Sequence, residues 1–175
     1  MLTENAENFI KSKLLEYRSE LENIINGGDI SQYNYCERTH DDIDDEVYDK
    51  NYENRLRIAH ALWYMSDGLD VEFITITLMN EEIKYLEKSV YGGTSRTAYL
   101  LLMKLSEYGK YSYKRLLKRV RNANMDCFCE FDVNTLKKFS NFGKDWRKDD
   151  WDYIFELLND ERSLEKFKNL ENSEE

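Results

Sequence analysis

Not one of the 175 residues is proline. At the average usage of about 5% a chain of this length would hold several. Proline is the residue a helix interior tolerates least, because it lacks the N–H and its ring strikes the preceding turn. A chain without it can run long helices, and its seven glycines are left to mark where they stop. The first segment fits. Ile10, Leu14, Tyr17, Leu21 and Ile24 recur at steps of four and three, one face of a helix from Thr3 to Asn26, and Gly27-Gly28 ends it as a C-terminal cap. Residues 29–48 hold Asp41, Asp42, Asp44, Asp45 and Glu46 with few apolar residues, and are expected to form an acidic loop.

A second helix is expected from Asp49 to Ser66, with Tyr52, Leu56, Ala59 and Leu62 or Trp63 as its stripe and Gly68 beyond its end. Residues 71–90 pull both ways. Val71, Phe73, Ile74 and Ile76 favour a strand, but the apolar spacing continues through Ile83, Leu86 and Val90 at helical period. No second segment offers a strand to pair with, and a lone strand leaves its backbone groups unsatisfied, so a helix is predicted. Thr94 or Ser95 caps a fourth helix through Tyr108, and a fifth spans Ser112–Asn122 with Leu116, Leu117 and Val120 inward. A sixth runs from Asp132 or Asn134 to Gly143, and a seventh, containing Trp151, Ile154, Phe155 and Leu158, starts at Asp149 or Asp150. From Ser163 onward the chain is polar. The expectation is an all-α single helical domain of about seven helices over residues 1–165, followed by a frayed tail over 166–175.

Composition narrows the class. Hydrophobic residues at 41% and aromatics at 14% are too plentiful for a disordered chain, despite the 34% that are charged. Thirty-five acids against twenty-five bases leave −10, which disfavours a general nucleic-acid or anionic-membrane binder and favours a cationic partner. No run reaches the roughly 18–20 apolar residues of a membrane span, and MLTENAENFIKSK lacks the apolar core of a secretory leader, so a cytoplasmic protein is expected. Three cysteines, two of them at Cys127 and Cys129, make neither a disulfide framework nor a zinc site, and buried thiols are expected. The charge is also uneven. Residues 94–124 carry eight bases and only Glu107 as an acid, net +7, leaving −17 on the other 144 residues.

The basic stretch Lys110–Arg121 follows a short glycine turn, as in a helix-turn-helix, but it lacks a base-reading face of Asn, Gln and Arg, and the surrounding −17 would repel DNA. The plainer expectation is an internal partner for the acidic loop. That loop is not an EF-hand, since no glycine stands at the turning position and no Glu closes it, so no metal and no cofactor are expected. Asp41, Asp42, Asp44, Asp45, Glu46 and Asp49 are instead the candidate partner-binding group, imitating phosphate charge on a site meant for nucleic acid. His40-Asp41 is similar to the dyad of HD-type phosphohydrolases, which also need an upstream histidine, and none precedes it. Arg55 and His60 have the R-x-x-x-x-H spacing of HEPN ribonucleases; the resemblance implies an all-helical RNA-cleaving enzyme with this pair in a cleft. With ten Arg and two His in the chain, that spacing is easily met by accident, and a histidine beside an apolar stripe is more often a packed one. No phosphate loop, G-x-S-x-G elbow or H-E-x-x-H occurs.

Residues 55–90, RLRIAHALWYMSDGLDVEFITITLMNEEIKYLEKSV, carry a helix ending in Tyr64, Ser66 and Gly68, then an acidic helix start and a Leu-rich helix. This resembles the N-terminal module of PoNi-like immunity proteins of bacterial polymorphic toxin systems. A second Leu-rich helix, YLLLMKLSEYGKYSYKRLLKRV at 99–120, and a tryptophan stretch at Asp145-Trp146 extend the resemblance over residues 3–165. It implies a non-catalytic helical protein that binds a co-produced DNase toxin and blocks its active site. Another acidic phage or bacterial inhibitor of a nucleic-acid-binding protein, or the HEPN-like ribonuclease, is the alternative.

Overall fold

The computed structural model describes residues 3–38, 48–89, 94–108, 110–131, 157–158 and 161–172. The first helix, α1 (Glu4–Ile25), starts where Thr3 takes extended backbone and its hydroxyl accepts from the Ala6 N–H, an N-cap that satisfies one orphan donor. It ends in a Schellman motif. Gly27 N–H donates to Ile24 O at 3.1 Å and Gly28 N–H to Asn23 O at 2.9 Å, with Gly27 at φ +93°, where a side chain would be strained. A 3₁₀ turn (Ser31–Tyr33) follows, then β1 (Glu37–Arg38) paired antiparallel with β2 (Tyr48–Asp49), Glu37 opposite Asp49.

Four further helices fall where the apolar spacing predicts them: α2 (Tyr52–Tyr64), α3 (Glu72–Lys88), α4 (Arg96–Tyr108) and α5 (Lys110–Arg121). The contested segment is helical from Glu72 to Lys88. Its β-branched threonines fit because each spends its hydroxyl inside the helix, Thr75 on Val71 O at 2.7 Å and Thr77 on Phe73 O at 2.9 Å. Between α2 and α3 the chain turns at Ser66–Leu69, closed by a 3.0 Å backbone bond, and Gly68 takes φ +80° there.

Helix α4 is the centre of the packing. Every residue from Thr97 to Leu105 is buried, so it is apolar almost all round, as a helix surrounded by others must be. It packs against α2, α3 and α5, while α1 lies on α2. Lys104, buried within this run, is matched by Glu107 one turn on at 2.6 Å.

Three features differ from expectation. Glu37–Arg38 and Tyr48–Asp49, read as loop and as the start of the second helix, pair as a two-residue ladder. A six-residue helix, α6 (Met125–Glu130), follows α5, capped by Asn124, whose side chain accepts from Cys127 N–H at 2.8 Å. The segment from Ser163, read as a polar tail with a boundary at 165, is instead α7 (Glu161–Glu171), packed on α1 with Phe167 fully buried. Its stripe of Leu164, Phe167 and Leu170 is sparse but correctly spaced, and the hydroxyl of Thr3 donates to Leu170 O to join the two ends of the domain. The helices expected over 132–143 and 149–158 lie outside the described residues except for Leu157 and Leu158, which are helical and buried, Leu157 O accepting from the Tyr17 hydroxyl at 2.8 Å. The described residues thus form an all-α domain of seven α-helices with one two-residue ladder. No helix among them is long and apolar enough to cross a membrane.

Candidate partner-binding surface

Of the six acids singled out, Asp41, Asp42, Asp44, Asp45 and Glu46 lie outside the described residues, in the nine positions that separate β1 from β2. The residues that bracket them are described in detail. Asp49, at the end of β2, has a fully buried side chain paired with Arg55. Its other oxygen accepts from the backbone N–H groups of Cys36 and Asn51, each at 3.0 Å. Lys50 N–H donates to Cys36 O at 2.9 Å, and the Asn51 side chain donates to Asn34 O at 2.8 Å. On the other side Tyr35 N–H donates to the Glu81 carboxylate at 3.0 Å, tying the chain just before β1 to α3. Asp49 therefore serves the frame of the acidic segment and presents no carboxylate to solvent.

Arg55 is the hub of that frame. Its guanidinium, wholly buried, pairs with Asp49 and with Glu82 of α3 at 2.9 Å. It also donates to Tyr33 O at 3.4 Å. The Ser95 hydroxyl donates to the second Glu82 oxygen while Ser95 itself receives Ala98 N–H at the start of α4. One buried cluster thus ties together the 3₁₀ turn, the end of β2, α2, α3 and the N-terminus of α4. Burial pushes the Glu82 carboxyl up against the pull of Arg55 and Ser95, and the two carboxylates raise the Arg55 pKa despite its burial.

His60 is equally sealed, fully buried with its ring stacked on Tyr64 at 6.2 Å between centroids. Burial, assisted by the charge of Arg96, pushes its pKa down to about 3, so it is neutral at ordinary pH. Arg55 and His60 share α2 as the spacing requires, but Arg55 is engaged by two carboxylates and neither side chain reaches solvent.

A second surface was only half visible in the sequence. On α5, Lys114, Lys118 and Arg121 stand at i, i+4 and i+7, the lysines exposed and Arg121 half-buried, and with Leu117, Asn122 and Phe128 they line a half-open cavity of about 350 Å³. The basic run was legible. Phe128 was not, because α6 spans six residues, too few for apolar periodicity to show. Cys127 is buried, as expected, with burial pushing its thiol up to about 11, whereas Cys36, just before β1, and Cys129, on the solvent side of α6, are exposed, contrary to the expectation of buried thiols. The chain matches no protein-family model, no curated protein and no solved structure.

Proposed function

We propose that this chain is a non-enzymatic immunity protein that acts in the cytoplasm, binding a cognate bacterial toxin, a DNase, and blocking its basic active-site cleft. The observation that carries this reading is the frame around the acidic segment: five carboxylates are inserted between two strands whose ends are paired and anchored on a buried Arg55 cluster. A segment whose two flanks are fixed on a rigid base has less entropy to lose on binding than one on a free tail. A nuclease cleft must be basic to hold phosphates, and a protein of net charge −10 is attracted to it at long range. The sealing of Arg55 and His60 supports binding over RNA cleavage, since an acid–base pair must come within hydrogen-bond reach of its substrate. The resemblance to PoNi-like proteins points to the same role.

A toxin is expected to be encoded beside this gene, and that toxin is the test. Its nuclease domain, mixed with an equimolar amount of this protein, is expected to stop cutting plasmid DNA and to co-elute as a stoichiometric complex. Undiminished cutting at equimolar protein, or RNA cleavage by this protein that disappears in His60→Ala with the fold intact, would overturn the proposal.

A further inference from the structure

The cavity between α5 and α6 has no part in the role just proposed, and its chemistry points elsewhere. Lys114, Lys118 and Arg121 put three positive charges on one stripe of α5, and none has an ion-pair partner among the described residues. Like charges at i, i+4 spacing destabilise a helix unless something neutralises them. The Arg121 guanidinium lies over the Phe128 ring at 4.9 Å, and its Nε is buried with no hydrogen-bond partner among the described residues. The rest of the half-buried guanidinium carries the positive charge that an anion in the cavity would meet. Phe128 is 53% exposed, an unusual fate for a phenylalanine, and buried Leu117 floors the same cavity. Cations on one side and an exposed aromatic face on the other are complementary to a phosphate joined to a planar ring.

We propose that this cavity binds a free nucleotide, with Lys114, Lys118 and Arg121 on its phosphates, the Phe128 ring against its base and the Asn122 amide within the same cavity to meet the base edge. The volume of about 350 Å³ lies at the lower end of small-ligand sites, the size class of a mononucleotide. A nucleic-acid strand fits less well, because beyond the +7 segment the chain carries −17, and a polyanion leaving the cavity would run into that field.

Isothermal titration of the full chain with ADP, inorganic phosphate, a short single-stranded oligonucleotide and the peptide Asp-Asp-Ile-Asp-Asp-Glu tests the assignment. ADP is expected to bind saturably at one site and more tightly than the other three. The double variant Lys114→Ala/Lys118→Ala should weaken ADP by about tenfold or more, since two charge-assisted contacts are lost. Phe128→Leu should weaken ADP by about tenfold while leaving phosphate unchanged, which separates stacking from charge. All three side chains are exposed, and a circular dichroism spectrum confirms that each variant keeps its fold. No binding of ADP at millimolar concentration, an ADP affinity indifferent to both variants, or tighter binding of the oligonucleotide or the acidic peptide would overturn it.

Discussion

At position 55 the sequence and the structure attach different meanings to one arginine. Its spacing from His60 was visible in the sequence, but its partners were not. Asp49 lies six residues upstream and Glu82 27 residues downstream, and no periodic signal connects them. Arg55→Met removes the cation and leaves two buried carboxylates uncompensated, so urea unfolding should show a loss of about 3–5 kcal/mol. A near-neutral result would mean that water already reaches the cluster. His60 makes a prediction in pH. Unfolded, its imidazole titrates near 6.5; folded, it is pushed down to about 3. Between these values the unfolded chain binds the extra proton, so the stability His60 supports is complete above pH 6.5 and falls as pH drops, by about 1.4 kcal/mol per pH unit, until the folded site protonates. Comparing wild type with His60→Leu isolates this group: the variant should lose stability less steeply between pH 6.5 and 4, and parallel curves would refute the burial.

Among the elements, the long ones could be read and the short ones could not. Helix α1 shows its cap, stripe and stop in Thr3, the Ile10–Ile24 spacing and Gly27. Helix α3 was reachable only by asking what a strand there would pair with, a question about the whole chain and not about Val71–Leu78. Helix α6 is too short for periodicity, and Asn124 is its one local signal. Helix α7 was obscured by its charge, since Glu161, Arg162, Glu165, Lys166 and Lys168 dilute the stripe that Phe167 anchors. Phe167→Ala distinguishes a docked helix from a polar tail. It should cost about 3–5 kcal/mol in thermal or chemical unfolding and expose the N-terminal turn of α1 to proteolysis. A change below about 0.5 kcal/mol, the scale of ordinary surface substitutions, would place α7 off the core.

For the molecule as a whole, the absence of proline and the glycine stops made an all-α domain legible, and the charge sum made its polarity legible. What composition could not show was geometry: that Asp49 belongs to the buried frame while the five acids before it fall between the two paired strands, and that the basic helix borders a cavity with an aromatic wall. The central claim is that this acidity draws the protein onto a basic toxin. The direct measurement is the association rate with the basic toxin that the proposal expects to be encoded beside this gene, across a series of salt concentrations, for wild type and for a variant carrying Asn at 41, 42, 44 and 45 and Gln at 46. Electrostatic steering predicts a fast wild-type rate that falls steeply with salt, and a variant about tenfold or more slower with a flattened salt dependence. Equal rates and equal salt slopes for the two proteins would contradict it.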